Sequence, residues 1–182
     1  MKPIQKLIYL SYAIVMMNSS AFADCVFSAS RPWAKGLDIT ATTSGKNCAD
    51  GEVELQIAQG NVKAQYDIAF KMKDLLTFQD AQKDDAVKQS LADWIAEMPN
   101  FKSAEKLPAW PNALANTGDL RLPKDAEFAF TPTPKLTRNT YEALRKAKAP
   151  YFCFVAGMEH QHCLGLSRAG KVVEIGDQAF PG

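Results

Sequence analysis

Gly51-Glu52-Val53-Glu54-Leu55-Gln56-Ile57-Ala58-Gln59-Gly60-Asn61-Val62-Lys63-Ala64-Gln65-Tyr66-Asp67-Ile68-Ala69-Phe70-Lys71-Met72 alternates in side-chain character twice, once on each side of a glycine-containing turn. Val53, Leu55 and Ile57 interleave with Glu52, Glu54 and Gln56. Beyond the turn chemistry of residues 58–61, Val62, Ala64, Tyr66, Ile68, Phe70 and Met72 interleave with Lys63, Gln65, Asp67, Ala69 and Lys71. A period of two belongs to a strand with one buried face, so the segment predicts a hairpin with a long second strand. Upstream, Cys25-Val26-Phe27-Ser28 and Leu37-Asp38-Ile39-Thr40-Ala41-Thr42 predict two more strands joined by the loop 31–36, which makes a sheet of about four strands.

Downstream the period changes. Val87, Leu91, Trp94, Ile95 and Met98 fall on one stripe of a helix, with Asp84 and Asp85 at its positive end and Pro99 beyond its last turn. Such a stripe reads as a helix packed on the sheet. Residues 99–136 then lose periodicity and hold Pro99, Pro108, Pro111, Pro123, Pro132 and Pro134, which forbid a long helix or a central strand. Phe128 and Phe130, alternating with Glu127 and Ala129, suggest one short edge strand. A second helix is expected around Asn139 and Glu142, spaced as N-cap and N3, with a basic end at 145–148 and a stop at Pro150. The chain closes with a meander: Tyr151–Ala156, a turn at 157–161, His162–Ser167, a turn at 168–170, and Lys171–Ile175.

The sum is a single α+β domain over 24–182. Its antiparallel sheet or sheets carry about 6–8 strands, two helices pack on one face, and the 99–136 connection is long and proline-rich.

The four cysteines are Cys25, Cys48, Cys153 and Cys163. An even number in an exported chain reads as two bridges, and sequence proximity favours Cys25–Cys48 and Cys153–Cys163. A hairpin centred on Met158 puts Cys153 directly opposite Cys163. Export itself is read from residues 1–23. Lys2 and Lys6 precede an apolar run of about 11 residues, and Ala21-Phe22-Ala23 supplies the small-residue cleavage pattern of a signal peptide. That run is too short to span a bilayer, and no later segment approaches the length needed. Cys25 lies where a lipoprotein cysteine would stand, but Asp24 precedes it, so it is read as a disulfide partner. The expected location is the periplasm or the exterior.

Removing a leader that holds two lysines and no acid turns the formal net charge from +1 to −1. A balance this near neutral gives no electrostatic drive toward nucleic acid or anionic lipid.

The only two histidines, His160 and His162, fall near the predicted hairpin tip beside Glu159. On extended backbone, positions i and i+2 share a face, so the pair is a weak candidate for zinc or copper. Two imidazoles are not a site, however, and Glu159 would point the other way. The same tip suits protein binding, because a disulfide-closed hairpin loses little entropy when it enters a concave partner. It resembles, in logic and without a shared motif, periplasmic lysozyme inhibitors that push a disulfide-bound loop bearing a histidine into the enzyme's cleft. Trp110, in Leu107-Pro108-Ala109-Trp110-Pro111, is a second candidate contact, or else pins its loop onto the core.

The sequence contains no G-x-S-x-G elbow, H-E-x-x-H, P-loop or dinucleotide fingerprint, so no catalytic residue is assigned and no cofactor is expected. The expectation is a non-catalytic binding protein of the cell envelope, an inhibitor or immunity protein acting on a cell-wall hydrolase or toxin. Another protein is its expected partner, and a small-molecule ligand stays open. The alternatives are a zinc- or copper-binding protein or a small envelope hydrolase.

Overall fold

The computed structural model describes residues 25–60, 63–81, 83–98, 102–110 and 130–179. The expected leader at 1–23 lies outside them, as do Asn61 and Val62 of the first hairpin. So do residues 99–101 and 111–129 of the long connection, including Pro99, Pro111, Pro123 and Phe128.

Four strands form the first sheet in chain order: β1 (Ser28–Pro32), β2 (Asp38–Ser44), β3 (Glu52–Ala58) and β4 (Tyr66–Lys71). Val53 faces Phe70, Leu55 faces Ile68 and Ile57 faces Tyr66, so the quoted alternation becomes the antiparallel register itself. β1 begins three residues later than its apolar residues suggest and takes in Arg31 and Pro32 from the expected loop. As an edge strand with one neighbour it tolerates Pro32 and the polar pairs Ser28 with Thr42 and Ser30 with Thr40.

The second sheet has the order β5-β7-β8-β9-β6, where β5 is Lys102–Ser103, β6 Phe130–Pro132, β7 Pro150–Val155, β8 His160–Leu166 and β9 Val172–Ala179. Nine antiparallel strands among the described residues therefore replace the expected six to eight. The difference lies in β5 and β6, whose two and three residues are too short to read from a pattern. β9 runs four residues past its expected end because a bulge at Cys163/Leu164 resets its alternation before it pairs with β6.

Both disulfides form as expected. Cys25–Cys48 spans a Cα separation of 5.0 Å and ties the segment before β1 to the loop entering β3. Cys153–Cys163 bridges directly opposed residues of β7 and β8 at 4.0 Å.

Helix α1 (Asp84–Glu97) buries Val87, Leu91, Trp94 and Ile95, with Met98 at its C-cap also buried. Lys83 gives it no side-chain cap. The lost cap costs about 1 kcal/mol, against about 1.5–3 kcal/mol gained for each fully buried large side chain, so packing rather than capping holds this helix. Helix α2 (Arg138–Lys146) starts ahead of the expected Asn139 cap: Thr137 Oγ1 accepts the Thr140 N–H at 3.2 Å.

The two helices, expected together on one face, divide between the faces of the second sheet. Phe152, Phe154, Leu164 and Leu166 point into one core with α1 and the first sheet. Tyr151, Cys163 and Ile175 point the opposite way into a smaller core with Tyr141 and Leu144 of α2. The second sheet is thus the middle layer of a single α+β domain, and no helix among the described residues is long and apolar enough to cross a membrane.

Candidate functional site

Between β7 and β8 the chain turns through Ala156-Gly157-Met158-Glu159, and this tip is fixed from three directions. The Ala156 N–H donates to the His160 carbonyl at 3.2 Å and closes the turn. From the first sheet's side, a 3-10 turn at Leu76–Phe78 reaches over, and the Leu76 N–H donates to the Gly157 carbonyl at 3.3 Å. From α1, the Trp94 Nε1–H donates to the carbonyl of Val155, the last residue of β7, at 3.1 Å. The Cys153–Cys163 bridge clamps the strands behind it.

Gly157 is buried because the His160 ring lies against its Cα, where any Cβ would collide with that ring. His160 is therefore seated, half-buried, beside an exposed Glu159. Only three large apolar side chains are exposed among the described residues, and two of them are here: Met158 at 39 % and Leu76 at 41 %. The tip thus offers an acid and an imidazole together with two apolar side chains on braced backbone.

His162 is positioned differently. It lies inside β8 opposite Phe154 and Asp177, with its side chain only 15 % exposed. Its ring stacks on Tyr66 of β4 at 6.5 Å and meets Phe154 edge-on at 5.7 Å. Nδ1 stands 2.7 Å from Asp177 Oδ1, and Nε2 is buried without a hydrogen-bond partner among the described residues. A carboxylate oxygen can only accept, so Nδ1 carries the proton of this contact. The Tyr66 hydroxyl is also buried without a hydrogen-bond partner among the described residues. Burial first, then the Glu174, Asp177 and Asp67 carboxylates, push its phenol far above the usual range.

His160 and His162 therefore share a strand face, but one belongs to the tip and the other to the seam between the sheets. Among the described residues no three His, Cys, Asp or Glu side chains gather in a metal-holding group.

Trp110 lies on the opposite face of the second sheet. Its ring meets Tyr141 of α2 edge-on at 5.2 Å, and its backbone N–H donates to Glu142 Oε1 at 3.1 Å. The Tyr141 hydroxyl donates to the Pro108 carbonyl at 2.7 Å and Arg145 Nε–H to the Leu107 carbonyl at 3.1 Å, so α2 holds the whole 107–110 segment. Burial alone would raise the Glu142 carboxyl, but the Trp110 N–H and the Arg145 guanidinium, 2.8 Å away, hold it below the usual range. Trp110 and the tip do not form one surface. Leu76, Trp94, Tyr66 and Asp177 are the residues that sequence reasoning did not connect with the tip or its seam. The one available signal was the Leu75-Leu76 doublet, of which Leu75 is buried and its neighbour turned out.

Comparison with known proteins returned no matching family model, no matching curated protein and no matching solved structure.

Proposed function

We propose that this chain is a non-catalytic binding protein of the periplasm or exterior that engages another envelope protein through the 157–160 tip, in the manner of an inhibitor or immunity protein. The observation that carries the reading is the tip itself, where Met158 and Leu76 are exposed beside Glu159 and His160 on backbone held by three hydrogen bonds and a nearby disulfide. A rigid tip gives up little conformational freedom on docking, and exposed Met158 and Leu76 flanked by a polar Glu159 follow the pattern of an apolar interface centre with a polar rim. Two disulfides are consistent with an oxidising compartment, and the leader-like residues 1–23 supply the route there. The target class, a cell-wall hydrolase or a toxin, is inferred from the concave cleft that such a tip would enter. The metal-handling alternative gains nothing from the geometry, since His162 engages Asp177 through Nδ1 and keeps Nε2 buried.

The test is affinity capture from envelope extract with the mature protein, in parallel with a Met158→Ser/Glu159→Ala/His160→Ala variant. His162 is left intact because changing it would disturb the seam. Loss of a specifically captured protein on the variant, with an unchanged melting temperature, is the expected result. A partner retained equally by both proteins would remove the tip from the interface.

A further inference from the structure

At the far end of β8 from the tip, α2 and the β8–β9 turn enclose a half-open groove of about 300 Å³. Its floor is apolar: Ala143 and Leu144 line it from α2 and Ala147 from the C-cap. Leu144 lies next to Gly165 of β8, whose missing side chain leaves room for Ile175 to pack closely. The rim is cationic, with Lys146 on the helix and Arg168 on the turn, and no acidic side chain among the described residues lines the groove. Both rim residues are exposed, and neither forms an ion pair among the described residues.

The turn is rigid. Lys35 Nζ donates to the Arg168 carbonyl at 2.9 Å, the Gly170 N–H donates to the Ser167 carbonyl at 2.9 Å, and Ser167 Oγ accepts the Lys171 N–H at 3.0 Å. With Oγ already accepting, the Ser167 hydroxyl proton remains for a ligand. The C-terminal end of α2 contributes roughly half a negative charge, which two whole positive charges at the rim outweigh.

We propose that this groove binds a small amphipathic anion, a carboxylate carried on an aliphatic body, with the chain on Ala143, Leu144 and Ala147 and the carboxylate between Lys146 and Arg168. The volume sits at the lower end of small-molecule pockets, which suits a medium-chain acid rather than a folded partner. A neutral apolar molecule would leave the cations unused, and a small inorganic anion would leave the apolar floor wet. The inference stands apart from the tip, because no residue is shared.

The probe is sodium octanoate, titrated into isotopically labelled mature protein while amide and methyl resonances are followed, with 1-octanol and acetate as parallel arms. Octanoate should shift residues 140–147 and 165–168 and saturate, while 1-octanol and acetate should each bind about tenfold or more weakly. Lys146→Gln with Arg168→Gln should weaken octanoate about tenfold, as two partly exposed charge contacts would. Ala143→Trp, at an exposed helix position, should fill the groove and abolish the shifts without lowering the melting temperature. The proposal is overturned by shifts that fail to saturate by about 10 mM. Equal binding of 1-octanol, or octanoate affinity unchanged in the double variant, overturns it as well.

Discussion

The phenol of Tyr66 carries a buried hydroxyl with nothing among the described residues to bond, its ring beside that of His162 and under the field of Glu174 and Asp177. Desolvating an unsatisfied hydroxyl costs about 1–3 kcal/mol, so removing it while keeping the ring should not destabilise the fold. Tyr66→Phe is expected to leave unfolding free energy unchanged or raise it by about 1 kcal/mol, measured by urea titration. A loss of about 1 kcal/mol or more would mean that the oxygen has a bonding partner in solution. Burial acts on three phenols at once: Tyr66, Tyr141 and Tyr151 are all pushed above their ordinary value. Each binds its proton more tightly folded than unfolded. Their contribution is therefore complete below the unfolded value of about 10 and is lost as pH rises beyond it. Absorbance near 295 nm should show these tyrosines ionising together with alkaline unfolding rather than ahead of it; early, reversible ionisation of all tyrosines in the folded state would contradict this.

Among the elements, the two disulfide-closed segments differ in span, with 23 residues separating Cys25 from Cys48 and 10 separating Cys153 from Cys163. If chain entropy dominates, each bridge contributes about 3 kcal/mol and the longer loop about 0.7 kcal/mol more. Replacing Cys25 and Cys48 by serine should then cost more than replacing Cys153 and Cys163, as read from paired chemical-denaturation curves. The reverse order would show that the clamp behind the tip works by holding the native state, not by restricting the unfolded chain. The elements were legible where solvent wets one side. β3 and β4 alternate because their outer faces carry Glu52, Glu54, Asp67 and Lys71, and α1 shows its stripe for the same reason. β1 was misplaced because an edge strand of Ser, Ala and Arg has little apolar signal to place. The tip was legible through cysteine symmetry about Met158, whereas its buttresses at Leu76 and Trp94 come from 82 and 64 residues earlier, and no local pattern announces such contacts.

For the molecule as a whole, the division of the helices was hidden by the run Tyr151-Phe152-Cys153-Phe154-Val155, which is apolar at every position. A strand covered on both faces loses its alternation, so the run meant a middle layer and not simply a strong strand. Phe154 shows how tightly the layers are joined: its ring meets Phe70 of the first sheet at 6.2 Å, Trp94 of α1 at 5.8 Å and His162 at 5.7 Å. Phe154→Ala should cost about 3–5 kcal/mol and should weaken both sheets together. Tryptophan fluorescence, reporting Trp33, Trp94 and Trp110, and far-ultraviolet circular dichroism are expected to give one coincident transition in the variant as in the parent. Two separated transitions would mean that the layers are independent.

Neither bridge runs from one sheet to the other, and each joins cysteines that follow one another along the chain. Of the three ways to pair four thiols, the native one is therefore reached by oxidising them in order of appearance. A simple thiol oxidase suffices, and the slow reshuffling that delays proteins with interleaved bridges has no role here. Refolding from the fully reduced chain should be limited by oxidant supply and indifferent to added disulfide isomerase.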